Sequence, residues 1–113
     1  MRVVFSKGML QGERGIEYPA SWAKTPFGIM SLAKGTDEAL QLVDDERIVS
    51  EEIVADVDLP GLDRDHLEEI VRSVLAGGFL DKPGIKGKGD AVIFALVNEA
   101  LHRLDQIAAD ERL

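Results

Sequence analysis

The sequence predicts an α+β domain in which a small sheet of two to four short strands packs against two main C-terminal helices. Three observations lead to this fold class. A β-branched and aromatic run opens the chain at residues 2–7, and an alternating apolar pattern occupies 53–59. Apolar residues at helical spacing then occupy both 63–76 and 91–110. We expect one domain, residues 1–113, because a chain of this length buries one modest core.

The first 24 residues are interpreted as one strand followed by a loop. Residues 2–7 (RVVFSK) are typical of a short strand, and Gly8 directly after them predicts that the strand ends in a turn. Residues 8–24 mix glycines, a proline and charged residues without sustained periodicity. They predict a loop with a short strand at 15–18.

Residues 25–34 have the pattern of a short helix. Thr25 suits the N-cap, Pro26 suits the first helical position, and Gly35 follows where a left-handed cap is least costly. The next stretch leaves two interpretations open. Leu40 and Leu42 alternate as in a strand, whereas the neighbouring apolar residues also fit a helix.

The second half of the chain gives clearer signals. At 53–59 every second residue is apolar, which predicts a half-buried strand whose inward residues are Ile53, Ala55, Val57 and Leu59. Its outward residues are Val54, Asp56 and Asp58. Asp63 then caps a predicted helix with a core stripe of Leu67, Ile70, Val71, Val74 and Leu75. Gly77 and Gly78 end that helix.

The last predicted helix, residues 91–110, opens with a segment (AVIFALV) that is apolar on every side. Such a segment has to be covered all round, by the rest of the domain or by a second copy of the chain. We therefore predict a homodimer through this helix. Its candidate interface residues are Val92, Ile93, Phe94, Leu96 and Val97.

Composition indicates a globular protein with an acidic middle. Hydrophobic residues make up 45% and charged residues 30%, and the formal net charge is −8. Residues 37–69, which we call the acidic block, hold thirteen acidic residues against two arginines. This block favours a solvated face or a basic protein partner over nucleic acid, whose phosphate backbone recruits Lys and Arg. With no secretory or membrane-spanning pattern, we expect a cytoplasmic protein without membrane contact.

Little in the sequence predicts catalysis. The absence of cysteine excludes disulfides, thiolate nucleophiles and Cys-ligated metals. No serine lies in a nucleophile elbow, and the two histidines have no ligand set around them, so we expect neither a metal nor a cofactor. The one local candidate is a loop before the last helix, where glycines and lysines suit a phosphate-bearing ligand. Its residues are Lys86, Gly87, Lys88 and Gly89.

Two family resemblances accompany these patterns. The strand at 53–59, the helix at 63–76 and the helix at 91–110 follow the order of ribbon-helix-helix DNA-binding proteins. That resemblance implies a strand paired across a dimer, with Val54, Asp56 and Asp58 facing the major groove. Separately, ADVDLPGLDRDHLEEIV is similar to the segment before the peroxidatic cysteine of organic hydroperoxide resistance proteins. Without a cysteine, that activity does not carry over.

The sequence therefore supports three functional hypotheses. The first is a non-enzymatic protein-interaction or regulatory module, homodimeric, whose acidic block and Lys/Gly loop contact another macromolecule. The second is a DNA-binding regulator or antitoxin of the ribbon-helix-helix kind. The third is a small enzyme or effector that binds a phosphorylated ligand through residues 84–90.

Overall fold

The computed structural model describes residues 1–32, 40–59, 61–77 and 80, together with 91, 93–95, 97–99, 101–102 and 105–106. The strands are β1 (Arg2–Gln11), β2 (Glu17–Thr25), β3 (Gly28–Leu32), β4 (Leu40–Val43) and β5 (Ile48–Asp58). A short 3-10 helix at Asp45–Arg47 lies between β4 and β5, and the helix α1 (Arg64–Ala76) follows β5. The strands form one antiparallel sheet in the order β4-β3-β2-β1-β5.

This architecture corrects the predicted fold class. The sheet has five strands, and β1 and β5 contain 10 and 11 residues, where the sequence predicted two to four short strands. The prediction of two main C-terminal helices is also wrong, because α1 is the one main helix in the described part of the chain. The described residues between 91 and 106 are helical. Local patterns missed β2 and β3 because these strands form by pairing with neighbouring strands, which no single segment shows by itself.

Over the described residues 25–32, the helix predicted at 25–34 is instead the turn and second strand of a hairpin. Thr25 ends β2, and its hydroxyl donates to the carbonyl oxygen of Gly28 at 2.9 Å and accepts from the amide of Phe27 at 3.1 Å. Gly28 opens β3 with a φ of 126°, a conformation that favours glycine. The threonine and proline that suit a helix start therefore also suit a hairpin turn.

The loop predicted at 8–24 is mostly strand. β1 continues through Gly8, and β2 begins shortly after a turn in which Gly15 has a φ of 76°. Gly8 is needed because β1 and β5 approach closely there. A Cβ built on Gly8 would lie 2.0 Å from the backbone oxygen of Ser50 in β5. The glycine that predicted a turn thus permits strand pairing.

The helix α1 confirms the prediction for 63–76 and covers one face of the sheet. Asp63 caps it by accepting a hydrogen bond from the amide of His66 at 2.9 Å. Four of the five residues in the predicted stripe are buried: Leu67, Ile70, Val71 and Val74. They form the main core with residues from four strands and from the last quarter of the chain: Val3, Phe5, Ala23, Met30, Ala55, Val57, Ile93 and Val97.

The opposite face of the sheet holds a smaller core of Leu10, Trp22 and Val43. The chain passes from β4 to β5 through residues 44–47 alone, although these strands lie at opposite edges of the sheet. The five Cα–Cα steps from the end of β4 to the start of β5 span at most ~18 Å. In a flat sheet the four spacings between these two edge strands would measure ~19 Å. The sheet therefore has to curl, and its curvature encloses Trp22, which is 0% exposed.

Candidate functional site

Residues 49–53 of β5 lie open to solvent, and we call them the open edge. β5 is the outermost strand on one side of the sheet, and all five residues of this run are exposed. Successive side chains of a strand point to opposite faces, so both faces of the open edge are uncovered. Val49 is 49% and Ile53 is 63% exposed, although both residue types are usually buried.

Irregular pairing between β1 and β5 explains this exposure. Val54 is an extra residue in β5, because Ser6 pairs with Ile53 while its neighbour Phe5 pairs with Ala55. Val49 is a second extra residue, because Met9 pairs with Ser50 while Leu10 pairs with Ile48. An extra residue reverses the face to which the side chains on one side of it point. The prediction that Ile53 lies on the buried face is therefore wrong, whereas the other three inward positions are buried.

Glu51, at the centre of the open edge, is held against the sheet by two hydrogen bonds. Trp22 Nε1 donates to Glu51 Oε2 at 3.0 Å, and Lys24 Nζ donates to Glu51 Oε1 at 2.9 Å. Burial raises the pKa of Glu51, but the hydrogen bonds from Lys24 and Trp22 outweigh it and bring the pKa below its ordinary value. The carboxylate is therefore ionised at neutral pH and paired within its own chain.

The outward carboxylates in the second half of β5 are also paired within the chain. Asp56 and Asp58 are exposed, as the alternating pattern predicts. Hydrogen bonds from Arg2 Nε to both oxygens of Asp56, at 2.8 and 3.0 Å, lower the pKa of Asp56. The amino group of Met1 lies 3.0 Å from an oxygen of Asp58. The DNA-binding role that the ribbon-helix-helix resemblance assigns to these outward residues stays a prediction.

The candidate dimer residues of the last segment have different surroundings. Val92 and Leu96 lie outside the described residues. Ile93 and Val97 are 0% exposed and belong to the main core of their own chain. Phe94 is 49% exposed and is thus accessible to a partner. A dimer through this segment stays a prediction, with Phe94 as the residue on which to test it.

Other predicted sites gain no further support. Lys86, Gly87, Lys88 and Gly89 lie outside the described residues, so the ligand loop stays a prediction, as does a basic partner for the acidic block. Within the residues that the structure describes, no three His, Asp or Glu side chains are grouped to hold a metal ion. Over the same residues, no helix has the length and apolar character needed to cross a membrane.

Sequence reasoning missed the open edge for a physical reason. The run IVSEEIV, residues 48–54, combines β-branched residues with charges, which favours a strand but does not reveal its exposure. Exposure follows from the bulge at Val54 and from the place of β5 in the sheet. The partners of Glu51 lie 27 and 29 residues away in the sequence, so no local pattern announces them.

Known proteins provide no functional interpretation of this chain, so the interpretation depends on its geometry. The features that invite a function are an uncovered strand edge, two exposed β-branched residues on it, and a central carboxylate already paired within the chain. Comparison with protein-family models, with curated proteins and with solved structures finds no match to this chain.

Proposed function

We propose that the chain is a non-enzymatic protein-interaction module that forms a homodimer through the open edge. In this dimer β5 of one copy pairs antiparallel with β5 of the other, which joins the two sheets into one. The observation that carries the proposal is the run of five exposed residues, 49–53, on an outermost strand. Such an edge offers backbone donors and acceptors to an added strand.

The side chains of the open edge are arranged for pairing with a second copy. In an antiparallel pair with its twofold axis at Glu51, Val49 of each copy lies opposite Ile53 of the partner subunit. Twofold symmetry therefore creates two identical contacts between β-branched side chains. Cross-strand pairs of this type stabilise a sheet by roughly 0.2–1 kcal/mol each. A continuous apolar edge is not required, because the backbone hydrogen bonds supply most of the contact.

The charge at the centre of the pairing is already offset. Glu51 of one copy faces Glu51 of the partner subunit, and two such carboxylates repel each other when unpaired. Here each carboxylate accepts a hydrogen bond from Lys24 at 2.9 Å and one from Trp22 at 3.0 Å in its own chain. These contacts reduce the repulsion. Because the pairing involves only five residues per copy, we expect a dimer that dissociates on dilution.

The proposed dimer is tested by measuring the molecular mass in solution by sedimentation equilibrium, from micromolar to millimolar concentration. We expect the wild type to approach twice the monomer mass as its concentration rises. Ile53→Lys places a charge on the open edge and is expected to keep the chain monomeric, since lysine blocks edge pairing. Circular dichroism of the variant controls for its fold.

Phe94→Lys is the matched control, because it puts the same charge on the other exposed apolar candidate. We expect this variant to dimerise as the wild type does. If Phe94→Lys abolishes the dimer and Ile53→Lys does not, the interface lies on the last segment and the open-edge proposal is wrong. A wild-type chain that stays monomeric at millimolar concentration also contradicts the proposal.

A further inference from the structure

The side chain of Glu51 starts on the open edge but ends inside the sheet. β1 lies between β5 and β2, yet the carboxylate of Glu51 reaches two residues of β2, Trp22 and Lys24. The side chain therefore extends across β1, away from the outer edge of β5. Glu51 is an exposed residue, but its side chain is only 22% exposed. Much of the accessible surface at this position is thus main chain.

Gly8 of β1 makes this path across the strand possible. It pairs with Glu51 on one side and with Ala20 of β2 on the other, so no side chain of β1 stands between them at this level. The ring of Trp22 lies beside the same place, since a Cβ on Gly8 would come within 3.1 Å of it. Trp22 is 0% exposed, and its Nε1 donates to Glu51 Oε2 at 3.0 Å. This contact holds one carboxylate oxygen inside the sheet.

Lys24 holds the other carboxylate oxygen and supplies the opposite charge. Its Nζ lies 2.9 Å from Glu51 Oε1, and its side chain is 36% exposed. An ionised carboxylate that loses this cation keeps its own charge but loses its charged donor. The side chain of Glu51 is then free to turn toward the outer edge of β5, where charged side chains oppose the addition of a strand.

We propose that Lys24 is a positioning residue for the dimer: it holds the Glu51 carboxylate inside the sheet and so leaves the open edge clear for the second copy. The role of Lys24 rests on the proposed dimer and deepens it, because control of pairing falls to a residue on β2, two strands away from the interface. Without Lys24, the Glu51 carboxylates of the two copies meet near the twofold axis and repel each other.

The test compares dimer dissociation constants from sedimentation equilibrium at neutral pH, with circular dichroism to verify the fold of each variant. Lys24→Met is expected to raise the dissociation constant about fivefold, because the released carboxylates repel each other. Lys24→Arg keeps the charge and should dimerise as the wild type does.

Two further variants separate the role of Lys24 from its charge alone. The double variant with Lys24→Met and Glu51→Gln should dimerise as the wild type does, since it has no carboxylate to release. Arg14→Met removes an exposed cation at the tip of the β1–β2 hairpin and makes the same change in net charge, so it is the matched control. If the double variant dissociates as readily as Lys24→Met alone, Lys24 does not act through Glu51 and the proposal is wrong.

A pair of variants at Glu51 tests the same claim without changing Lys24. Glu51→Asp keeps the charge on a shorter side chain, so its carboxylate stays near the edge, whereas Glu51→Asn has the same size without the charge. We expect the dissociation constant of Glu51→Asp to be about fivefold higher than that of Glu51→Asn, and equal values overturn the proposal. A wild-type chain that stays monomeric overturns both the role of Lys24 and the proposed dimer. A wild-type dimer that Lys24→Met leaves unchanged overturns only the role of Lys24.

Discussion

The two halves of β5 have similar side chains and opposite surroundings. In residues 54–58, Ala55 and Val57 belong to the main core and are 1% and 3% exposed, whereas Asp56 and Asp58 are exposed. Residues 49–53 are exposed throughout, and Ile53 is 63% exposed. One strand thus contributes both to the core of the fold and to the surface that we propose for pairing.

This difference shows that burial along a strand depends on what covers it and on its register. The inward residues of the second half of β5 belong to the main core, whereas residues 49–53 belong to neither core. The extra residue Val54 also reverses the alternation between the two halves. A residue's hydrophobicity therefore does not decide whether it is buried in β5.

The largest loss of stability is expected in the main core. Ile70 of α1 is 0% exposed and lies in the main core with Ala55 and Val57. Ile70→Ala leaves a cavity and should lower the free energy of unfolding by about 3 kcal/mol. Urea denaturation, followed by circular dichroism, measures the change. A loss below about 1 kcal/mol would show that α1 is not packed on the sheet as described.

A somewhat smaller loss of stability is expected where β1 meets the open edge. Gly8→Ala places a methyl group against the backbone of Ser50 and within 3.1 Å of Trp22, so the strands have to move apart. We expect a loss of about 2 kcal/mol in the free energy of unfolding. Gly61→Ala is the matched control, because a Cβ there meets nothing within 4 Å. Equal stability of the two variants would contradict the close approach of β1 and β5.

The contribution of Glu51 to the free energy of unfolding depends on pH. The pKa of Glu51 is lower in the folded chain than its ordinary value of 4.5, so ionised Glu51 stabilises the fold above pH 4.5. That stabilisation is lost as the pH falls from 4.5 through the lower pKa of the folded state. Glu51→Gln should therefore cost about 1 kcal/mol at pH 7, because it removes the negative charge and one of the two acceptor oxygens.

The measurement for Glu51 is the free energy of unfolding from pH 7 down to pH 3, at a concentration where the chain is monomeric. We expect the difference between wild type and Glu51→Gln to shrink below pH 4.5. Glu13→Gln, at the exposed tip of the β1–β2 hairpin, serves as control and should follow the wild type across the range. A difference that does not depend on pH would contradict the role given to the ionised carboxylate.

The smallest change in the stability of the monomer is expected at the open edge. Ile53→Ala repeats the chemistry of Ile70→Ala on a side chain that is 63% exposed. In dilute solution we expect the free energy of unfolding to change by less than about 0.5 kcal/mol. The same variant should weaken the proposed dimer, since it removes both contacts between Ile53 and Val49. A large loss of monomer stability would show that Ile53 is buried.

The sequence predicted α1 well because local signals are sufficient for that helix. Asp63 can cap it without distant partners, and its stripe at three- and four-residue spacing fixes the buried face. The burial of residues 55, 57 and 59 was also predicted correctly from a local signal. These residues alternate strictly, and no bulge interrupts them.

The remaining fold and the candidate site depend on contacts between distant residues. Thr25 and Pro26 satisfy the rules for a helix start and for a turn alike, and pairing of β3 with β2 and β4 decides between them. Gly8 allows close approach to a residue 42 positions later, which no local window contains. The exposure of Ile53 follows from the bulge, and a bulge is a property of two paired strands.

The most direct test of the open-edge proposal is backbone amide hydrogen exchange, measured by NMR at several concentrations of the wild-type chain. We predict that the outward amides of residues 49–53 exchange more slowly as the concentration rises, because a second copy of β5 bonds them. The amides at 55 and 57 should be protected equally at all concentrations. Rapid, concentration-independent exchange at 49–53 in a dimeric sample would show that the two copies meet elsewhere.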